Sequence, residues 1–166
     1  MPAASSFDIT STIDFQEVDN ALNQARKEVG QRYDFKGTTA DILLSEADKT
    51  LTLMADDEFR MNQLWEIVQT RLVRRNVPIK NFKWDASEPA SGGKVRRVIK
   101  IQQGIPIEAA REIVKFIKDQ RLKKVQAAIQ ADQVRVTSPS KDDLQVAIHA
   151  LRGHDFGVAL QFGNYR

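Results

Sequence analysis

The chain has 166 residues, which suits one large domain or two small ones, and its apolar and charged fractions are those of an ordinary globular protein. It contains no cysteine, which excludes disulfides, thiolate chemistry and cysteine-based zinc sites and is typical of a reducing compartment. No stretch is long and apolar enough to span a bilayer, and the start MPAASSFDITS lacks the features of a signal peptide. We therefore expect a cytoplasmic protein with no membrane partner.

Charge is unevenly distributed along the sequence. Residues 1–93 carry 11 Lys/Arg against 15 Asp/Glu, whereas residues 94–166 carry 14 against 7. A basic half can attract a polyanion, while lysines on helix faces equally serve solubility. The charge pattern therefore indicates a class of partner without identifying one.

Apolar periodicity predicts six elements in the first half of the chain. A period of two favours a strand at 6–11, and a helical repeat from Phe15 to Val29 follows a capping box at Asp14 and Glu17. We expect Gly30 to end this helix. The remaining elements are a hairpin at 40–46 and 49–55, a helix capped by Asp56 or Asp57 that runs to about Arg75, and a strand at 81–84.

The same order recurs after the Ser-, Pro- and Gly-containing loop at 85–93. The predicted elements are a strand at 94–103, a helix beginning at Pro106, a hairpin at 123–137 that turns at Ala131 and Asp132, a helix from Ser140 to Gly153, and a strand at 158–165. Each half therefore reads β-α-β-β-α-β. This is the ferredoxin-like plan, in which two helices cover one face of a four-stranded antiparallel sheet.

The uncovered sheet faces are the first candidate for function. Alternation places Phe7 in the core row and exposes polar side chains, namely Asp8, Thr10, Lys100, Gln102, Gln126, Gln130, Arg135 and Thr137. No aromatic ring is available there to stack bases, which counts against standard single-strand RNA recognition. Glutamine amides can still bond base edges and Arg135 can pair a phosphate, although an ordinary solvated sheet face has the same pattern.

Two short segments combine cations with aromatic rings. RYDFKG (32–37) places two cations beside two rings, as a planar base with a phosphate requires, through Arg32, Tyr33, Phe35 and Lys36. The C-terminal FGNYR offers a similar mixture in Phe162, Tyr165 and Arg166. In the alternative interpretation, Phe35 belongs to the core and the two cations of RYDFKG belong to its rim.

Residues that suggest catalysis or metal binding have simpler explanations. His149 and His154, the two histidines, lack a serine or carboxylate at a recognisable motif spacing. The acidic runs 56–58 and 142–143 precede helical repeats, where they cap helices and complement the helix dipole. The sequence has neither a Walker A loop nor a GxGxxG motif. We expect no enzyme activity, no metal and no cofactor.

Several segments together resemble the YajQ family of small bacterial nucleotide-binding proteins: SFDI (6–9), RYDFKGTTADILL (32–44), IKIQQGI (99–105), KKVQAAIQADQVRVTSPSKDDLQ (123–145) and FGNYR (162–166). The resemblance implies tandem ferredoxin-like, RNA-recognition-like domains whose first strands are exchanged between the repeats. One domain would comprise 1–13 with 104–166, and the other 14–103. It also implies non-covalent binding of nucleotides or RNA. Some members of the family are reported to bind cyclic di-GMP and to affect transcription through a partner protein.

We therefore expect an α+β fold and a non-enzymatic protein that binds RNA or a nucleotide such as cyclic di-GMP. The alternative is a protein-interaction module that acts with a transcription regulator and binds no nucleotide. Phosphate contacts are expected from Arg32, Lys36, Lys100, Lys123, Lys124 and Arg135. Stacking is expected from Phe35 and Tyr165, and base-edge contacts from Gln126 and Gln130.

Overall fold

The computed structural model describes residues 4–166, which form two antiparallel sheets and four α-helices. The chain is therefore a mixed α+β protein. It divides into two compact units. Unit A comprises the described part of residues 1–12 together with Gln103–Arg166, and unit B comprises Ile13–Gln102.

The elements follow one another in the order that periodicity predicts, apart from a short extra strand at Glu88–Pro89 within the predicted loop at 85–93. The strands are β1 (Ser5–Thr10), β2 (Ala40–Ser45), β3 (Thr50–Ala55), β4 (Phe82–Trp84), β5 (Glu88–Pro89), β6 (Val95–Ile101), β7 (Gln126–Gln130), β8 (Gln133–Ser138) and β9 (Gln161–Gly163). The helices are α1 (Phe15–Gln31), α2 (Glu58–Arg74), α3 (Ile107–Asp119) and α4 (Lys141–Arg152). None of these four helices is long and apolar enough to span a bilayer.

Unit B packs α1 and α2 against a sheet of order β2-β3-β6-β4, with β5 beside β6. Both helices begin at a predicted cap: the Asp14 carboxylate accepts the backbone N–H groups of Gln16 and Glu17, and Asp57 accepts that of Arg60. The apolar stripes of the helices meet the inward row of the strands in one core, which includes Val18, Leu22, Leu51, Leu53, Leu64, Val68 and Ile99.

Unit A packs α3 and α4 on a sheet of order β7-β8-β1-β9. The register sets Phe7 opposite Val136 and Ile9 opposite Val134, so that four buried side chains form the centre of its core. Burying an apolar side chain of this size contributes about 1.5–3 kcal/mol. The predicted hairpin is confirmed, and the Ser140 hydroxyl accepts the Asp143 N–H at the start of α4.

Two strands pair with partners that are remote in sequence. β1, near the start of the chain, pairs with β8 and β9, and β6, which follows the 85–93 loop, pairs with β3 and β4. The β1–β8 register joins residues 127 positions apart at Asp8 and Arg135. Sequence alternation determines which face a side chain occupies, whereas this pairing determines its neighbours.

Two predicted boundaries are wrong. α1 does not end at Gly30 but continues to Gln31, and it ends where Arg32 adopts an extended conformation and donates its N–H to Glu28 and Val29. The last strand covers Gln161–Gly163 and not the predicted 158–165. Its short length follows from Asn164, whose left-handed backbone (φ 52) leaves the extended conformation directly after Gly163.

Arg97 occupies a core position on β6. It lies in the inward row between Val95 and Ile99, and its guanidinium is buried under α2. Its Nη2 donates to Glu58 Oε1 at 2.8 Å and to Asn62 Oδ1 at 3.1 Å. A charged group is tolerated in this row because acceptors from the first turns of α2 reach it.

Candidate functional site

The predicted binding residues are divided between the two units. Unit B holds Arg32, Phe35, Lys36 and Lys100. Unit A holds Lys123, Lys124, Gln126, Gln130, Arg135 and Tyr165. Within each unit these residues fall into separate local groups.

The first group surrounds a cleft of about 490 Å³ in unit B, lined by residues between Val29 and Ala40 and called here the 29–40 cleft. Beyond α1 the chain makes a tight turn at Tyr33–Phe35, and the Thr38 hydroxyl donates to the Phe35 carbonyl at 2.7 Å. Gly37 follows with φ 76, a conformation that favours glycine. The RYDFKG segment thus folds around the cleft, and the structure brings Arg32, Phe35 and Lys36 together there.

The two cations of this segment differ in their availability. Arg32 forms two bonds with Asp34, from Nε to Oδ1 at 3.0 Å and from Nη2 to Oδ2 at 2.7 Å, and a longer one with Glu28. The hydrogen bond to Asp34 raises the pKa of Arg32, and the same bond lowers the pKa of Asp34. Lys36 is exposed and has no ion pair within residues 4–166. It is therefore the cation of the cleft that can take a phosphate without giving up a carboxylate.

Phe35, which was expected to stack on a base, is the buried aromatic residue of this segment, and Tyr33 is the exposed one. Phe35 is only 4% exposed, and the guanidinium carbons of Arg32 and Arg60 lie 5.7 and 5.9 Å from its ring centroid. Its ring is part of the core with cations at the rim, so it offers no free face to a base, and the expectation of stacking on Phe35 is corrected. Tyr33, by contrast, is 88% exposed. The segment presents its tyrosine to solvent and buries its phenylalanine.

The second group lies on the outer face of the unit A sheet, called here the Gln face, which carries Gln126, Gln130, Gln133, Arg135 and Thr137. Gln126 and Gln130 are exposed, as expected. Asp8 was expected to be exposed and is not: it is 7% exposed, and it binds Arg135 through Nε–Oδ1 at 2.8 Å and Nη2–Oδ2 at 3.3 Å. That bond lowers the pKa of Asp8 against the opposing effect of burial, and it raises the pKa of Arg135.

Arg135 is therefore not a free phosphate ligand. The edge of its guanidinium that carries Nε and Nη2 is occupied by the carboxylate directly opposite on β1, and a phosphate could not bind that edge through two hydrogen bonds without displacing the carboxylate. Only cross-strand register reveals this pairing. The Gln face is polar but close to charge-neutral at its centre.

The remaining predicted lysines are exposed, and none of them lines the 29–40 cleft. Lys123 and Lys124 precede β7, and Lys124 has a left-handed backbone with φ 62. Lys100 lies on the outer face of the unit B sheet, where it pairs in register with Lys83. The same face exposes Leu43 and Val98 on β2 and β6. No aromatic side chain lies among the outward positions of β2, β3 and β6.

The third group surrounds a pocket of about 360 Å³ in unit A, called here the Tyr165 pocket. Tyr165 is 59% exposed, and its ring centroid lies 6.3 Å from that of Phe7. The pocket is lined by Ser5, Ser6, Phe7, Lys141, Leu144, Gln145, Ile148, Tyr165 and Arg166. Because Phe7 faces the helices, this pocket and the Gln face lie on opposite sides of one sheet.

Comparison with known proteins identifies the relatives of this chain. A family model described as nucleotide-binding protein, YajQ-like, matches residues 5–166. The chain belongs to the YajQ-like family. Proteins named nucleotide-binding protein include one from Trichlorobacter lovleyi, 48% identical over 97% of this chain and 98% of that protein, and one from Solibacter usitatus, 49% identical over 97% and 96%. A third, from Carboxydothermus hydrogenoformans, is 47% identical over 97% of each chain.

Membership of the YajQ-like family confirms the resemblance carried by RYDFKG and FGNYR, and the structure shows what these segments build. The first lines the 29–40 cleft and the second forms one wall of the Tyr165 pocket. Sequence reasoning missed Lys141 and Gln145 at that pocket because a helix-start pattern explains them without a ligand. In residues 4–166 no cluster of histidine and carboxylate side chains suits a metal ion.

Proposed function

We propose that this protein binds nucleotides non-covalently, as RNA or as a cyclic dinucleotide such as cyclic di-GMP, and converts none of them. The names of its relatives support nucleotide binding in general. The observation that carries the proposal is the 29–40 cleft, where the exposed Tyr33 ring and the exposed Lys36 ammonium lie on one short segment. A base with its phosphate needs a planar apolar surface beside a cation.

Each side chain of the cleft has a role in this proposal. Tyr33 supplies a ring on which a base stacks, and Lys36 pairs the phosphate. Arg32 keeps Asp34 neutralised, so that no uncompensated carboxylate faces the ligand. The 490 Å³ volume lies within the usual size of small-molecule sites. Lys100 in unit B, and Lys123 and Lys124 in unit A, are further exposed cations that can meet phosphate.

We further propose that the two units are a duplicated ferredoxin-like plan with exchanged first strands, in a cytoplasmic protein. Each unit has one four-stranded antiparallel path with two helices on one face. The pairing of β1 with β8 and of β6 with β3 supports the exchange. The domains would then be 1–13 with 104–166, and 14–103.

The test is a calorimetric titration with GTP, cyclic di-GMP and a short RNA at low and moderate salt. For the ligand that binds, Lys36→Ala should reduce the binding free energy by about 1–3 kcal/mol, the usual value of a charged hydrogen bond that is partly shielded from water. Lys115→Ala, which removes an exposed lysine of α3 in unit A, is the matched control and should bind like wild type. If wild type, Lys36→Ala and Lys115→Ala all bound the ligand with equal affinity, the 29–40 cleft would not be the binding site.

A second candidate function is a protein-interaction module that acts with a transcription regulator. The outer face of the unit B sheet favours it, because Leu43 on β2 and Val98 on β6, the two strands that flank β3, expose apolar surface on the face that also carries Lys100. If none of the three ligands binds at low salt, this alternative becomes the better explanation. Saturable binding that Lys36→Ala weakens would support the nucleotide-binding proposal.

A further inference from the structure

We propose that the Tyr165 pocket is a second nucleotide site, which takes one nucleoside monophosphate unit with its base on Tyr165 and its phosphate at Lys141 and Arg166. The inference rests on the proposed function and adds a separate site to it. The pocket lies wholly within unit A, whereas the 29–40 cleft lies within unit B.

The lining of the pocket is ordered by polarity. Its floor is made of the buried side chains of Phe7, Leu144 and Ile148. Its rim carries the exposed ring of Tyr165 together with polar and cationic groups, from Ser5, Ser6, Lys141, Gln145 and Arg166. An apolar floor with convergent cations suits a planar ring that bears an anionic group. The 360 Å³ volume suits one nucleotide rather than two.

Lys141 is the cation best placed for the phosphate. It is the first residue of α4, it is exposed, and it forms no ion pair within residues 4–166. Gln145, one turn further along α4, presents an amide that can donate to and accept from a base edge.

Tyr165 is held in place from both sides. Ser6 and Arg166 exchange two backbone hydrogen bonds, at 3.1 and 3.0 Å, which fix the residue after it. The residue before it, Asn164, donates from Nδ2 to Asp8 Oδ2 at 2.6 Å. Asp8 is in turn held by Arg135. The pair formed by the buried Asp8 and the half-buried Arg135 therefore positions Tyr165, and this gives Arg135 a role other than binding phosphate.

The test uses the two tyrosines of the chain as separate reporters. Protein labelled with 3-fluorotyrosine gives one fluorine resonance from Tyr33 at the cleft and one from Tyr165 at the pocket, assigned with Tyr33→Phe and Tyr165→Phe. The probe is GMP. The inference predicts a saturable shift of the Tyr165 resonance that Lys141→Ala weakens at least about tenfold and Lys36→Ala leaves unchanged.

The outcomes separate this inference from the proposed function. If GMP shifts only the Tyr33 resonance, the second site is wrong and nucleotide binding at the cleft stands. If Lys141→Ala leaves the Tyr165 shift unchanged, the second site as proposed is wrong, and the Tyr33 resonance alone decides on the cleft. If neither resonance responds to GMP, GTP, cyclic di-GMP or RNA, both proposals are wrong. A Tyr165 response that depends on Lys141 supports the second site.

The positioning role has a test of its own. Asn164→Gly tolerates the left-handed backbone and removes only the side chain that bonds Asp8. We expect this substitution to move the Tyr165 resonance in the absence of ligand and to weaken the affinity of the pocket for GMP about tenfold. The Tyr33 response should stay unchanged. An unchanged Tyr165 resonance and unchanged GMP affinity would show that the Asp8 network does not position Tyr165.

Discussion

Asp8 and Arg135 face each other across β1 and β8, and their charges are balanced within the sheet. A carboxylate taken out of water is costly unless hydrogen bonds replace its hydration. Here two bonds come from Arg135 and a third from Asn164. The Asp8 carboxylate, near the start of the sequence, is thus hydrogen-bonded by two side chains from the last third of the sequence.

Removing Arg135 should therefore destabilise the fold in a way that depends on Asp8. In the wild-type background, Arg135→Ala leaves a buried charge with one remaining side-chain donor, and we expect a loss of about 1–3 kcal/mol of unfolding free energy. In an Asp8→Asn background the same substitution should cost less than half as much, because no charge is left unpaired. Urea unfolding of the four proteins measures the coupling. Additive losses would mean that the two side chains do not interact in solution.

The depressed pKa of Asp8 gives this pair a pH signature. The unfolded chain has an ordinary Asp pKa of about 3.9, so below that pH the unfolded state binds the proton first. The stability from the Asp8 charge is thus fully present above about pH 5 and is lost as the pH falls through the lower folded-state pKa. Urea unfolding from about pH 6 to about pH 3 should show wild type converging on Asp8→Asn at the acid end. A constant difference between them would contradict this assignment.

At single residues, the sequence predicts the face of a side chain better than its partners. Period-two alternation correctly places Phe7 inward and Gln126 outward. It cannot show that Asp8 meets Arg135, since a register of remote strands is not encoded in local pattern. The same limit applies to the RYDFKG segment, where a tight turn decides that Tyr33 is exposed and Phe35 is buried.

Among the elements, the β7–β8 turn is packed against the segment that leads into α3. The Ile105 N–H donates to the Asp132 carbonyl at 2.9 Å, and the Gly104 N–H donates to the Ser11 carbonyl at 2.7 Å. Gly104 has φ 85, and a Cβ built on it would lie 2.8 Å from the Asp132 Cβ. A change of rotamer at Asp132 leaves its Cβ in place, so the backbone itself would have to move.

Gly104→Ala should therefore cost more than backbone strain alone. Gly157 has the same φ of 85, and a Cβ built on it meets no atom within 4 Å among residues 4–166 outside Gly157 and its two chain neighbours, which makes Gly157→Ala the matched control. We expect a loss of about 1–2 kcal/mol of unfolding free energy for Gly157→Ala, from the left-handed conformation. Close contact should bring the loss for Gly104→Ala to about 2–5 kcal/mol. Equal losses of unfolding free energy in urea would show that the β7–β8 turn moves to accommodate the added methyl group.

The elements with strong local signals are the ones that the sequence predicts well. Asp14, Asp57 and Ser140 each mark a helix start that the structure confirms, because capping is a property of a few adjacent residues. β9 is poorly predicted because it has only three residues. Its end depends on Asn164, whose side chain donates a hydrogen bond to Asp8 on the remote strand β1. Local pattern thus gives most of the fold, and remote contacts build much of the candidate site.

Over the whole molecule, the folded units lack the charge asymmetry of the two sequence halves. Unit A has 10 Lys/Arg against 8 Asp/Glu, a net charge of +2, and unit B has 15 against 14, a net charge of +1. The difference from the sequence halves arises mainly because β6 and Lys94, which hold four cations, belong to unit B. Neither unit is a strongly basic body, so attraction to a polyanion depends on local groups of cations.

The salt dependence of RNA binding should therefore be modest. If Lys36 meets phosphate at the 29–40 cleft, and Lys141 and Arg166 meet it at the Tyr165 pocket, counterion release gives slopes of log K against log salt of about −0.7 and about −1.4 for single strands at the two sites. A fourfold rise in salt would then weaken binding about threefold at the cleft and about sevenfold at the pocket. Fluorescence anisotropy of a labelled short RNA measures the slope, and Lys36→Ala should reduce its magnitude by about 0.7, whereas Lys115→Ala should not. A wild-type slope steeper than about −4 would require a continuous track of cations, which is more than these three residues provide.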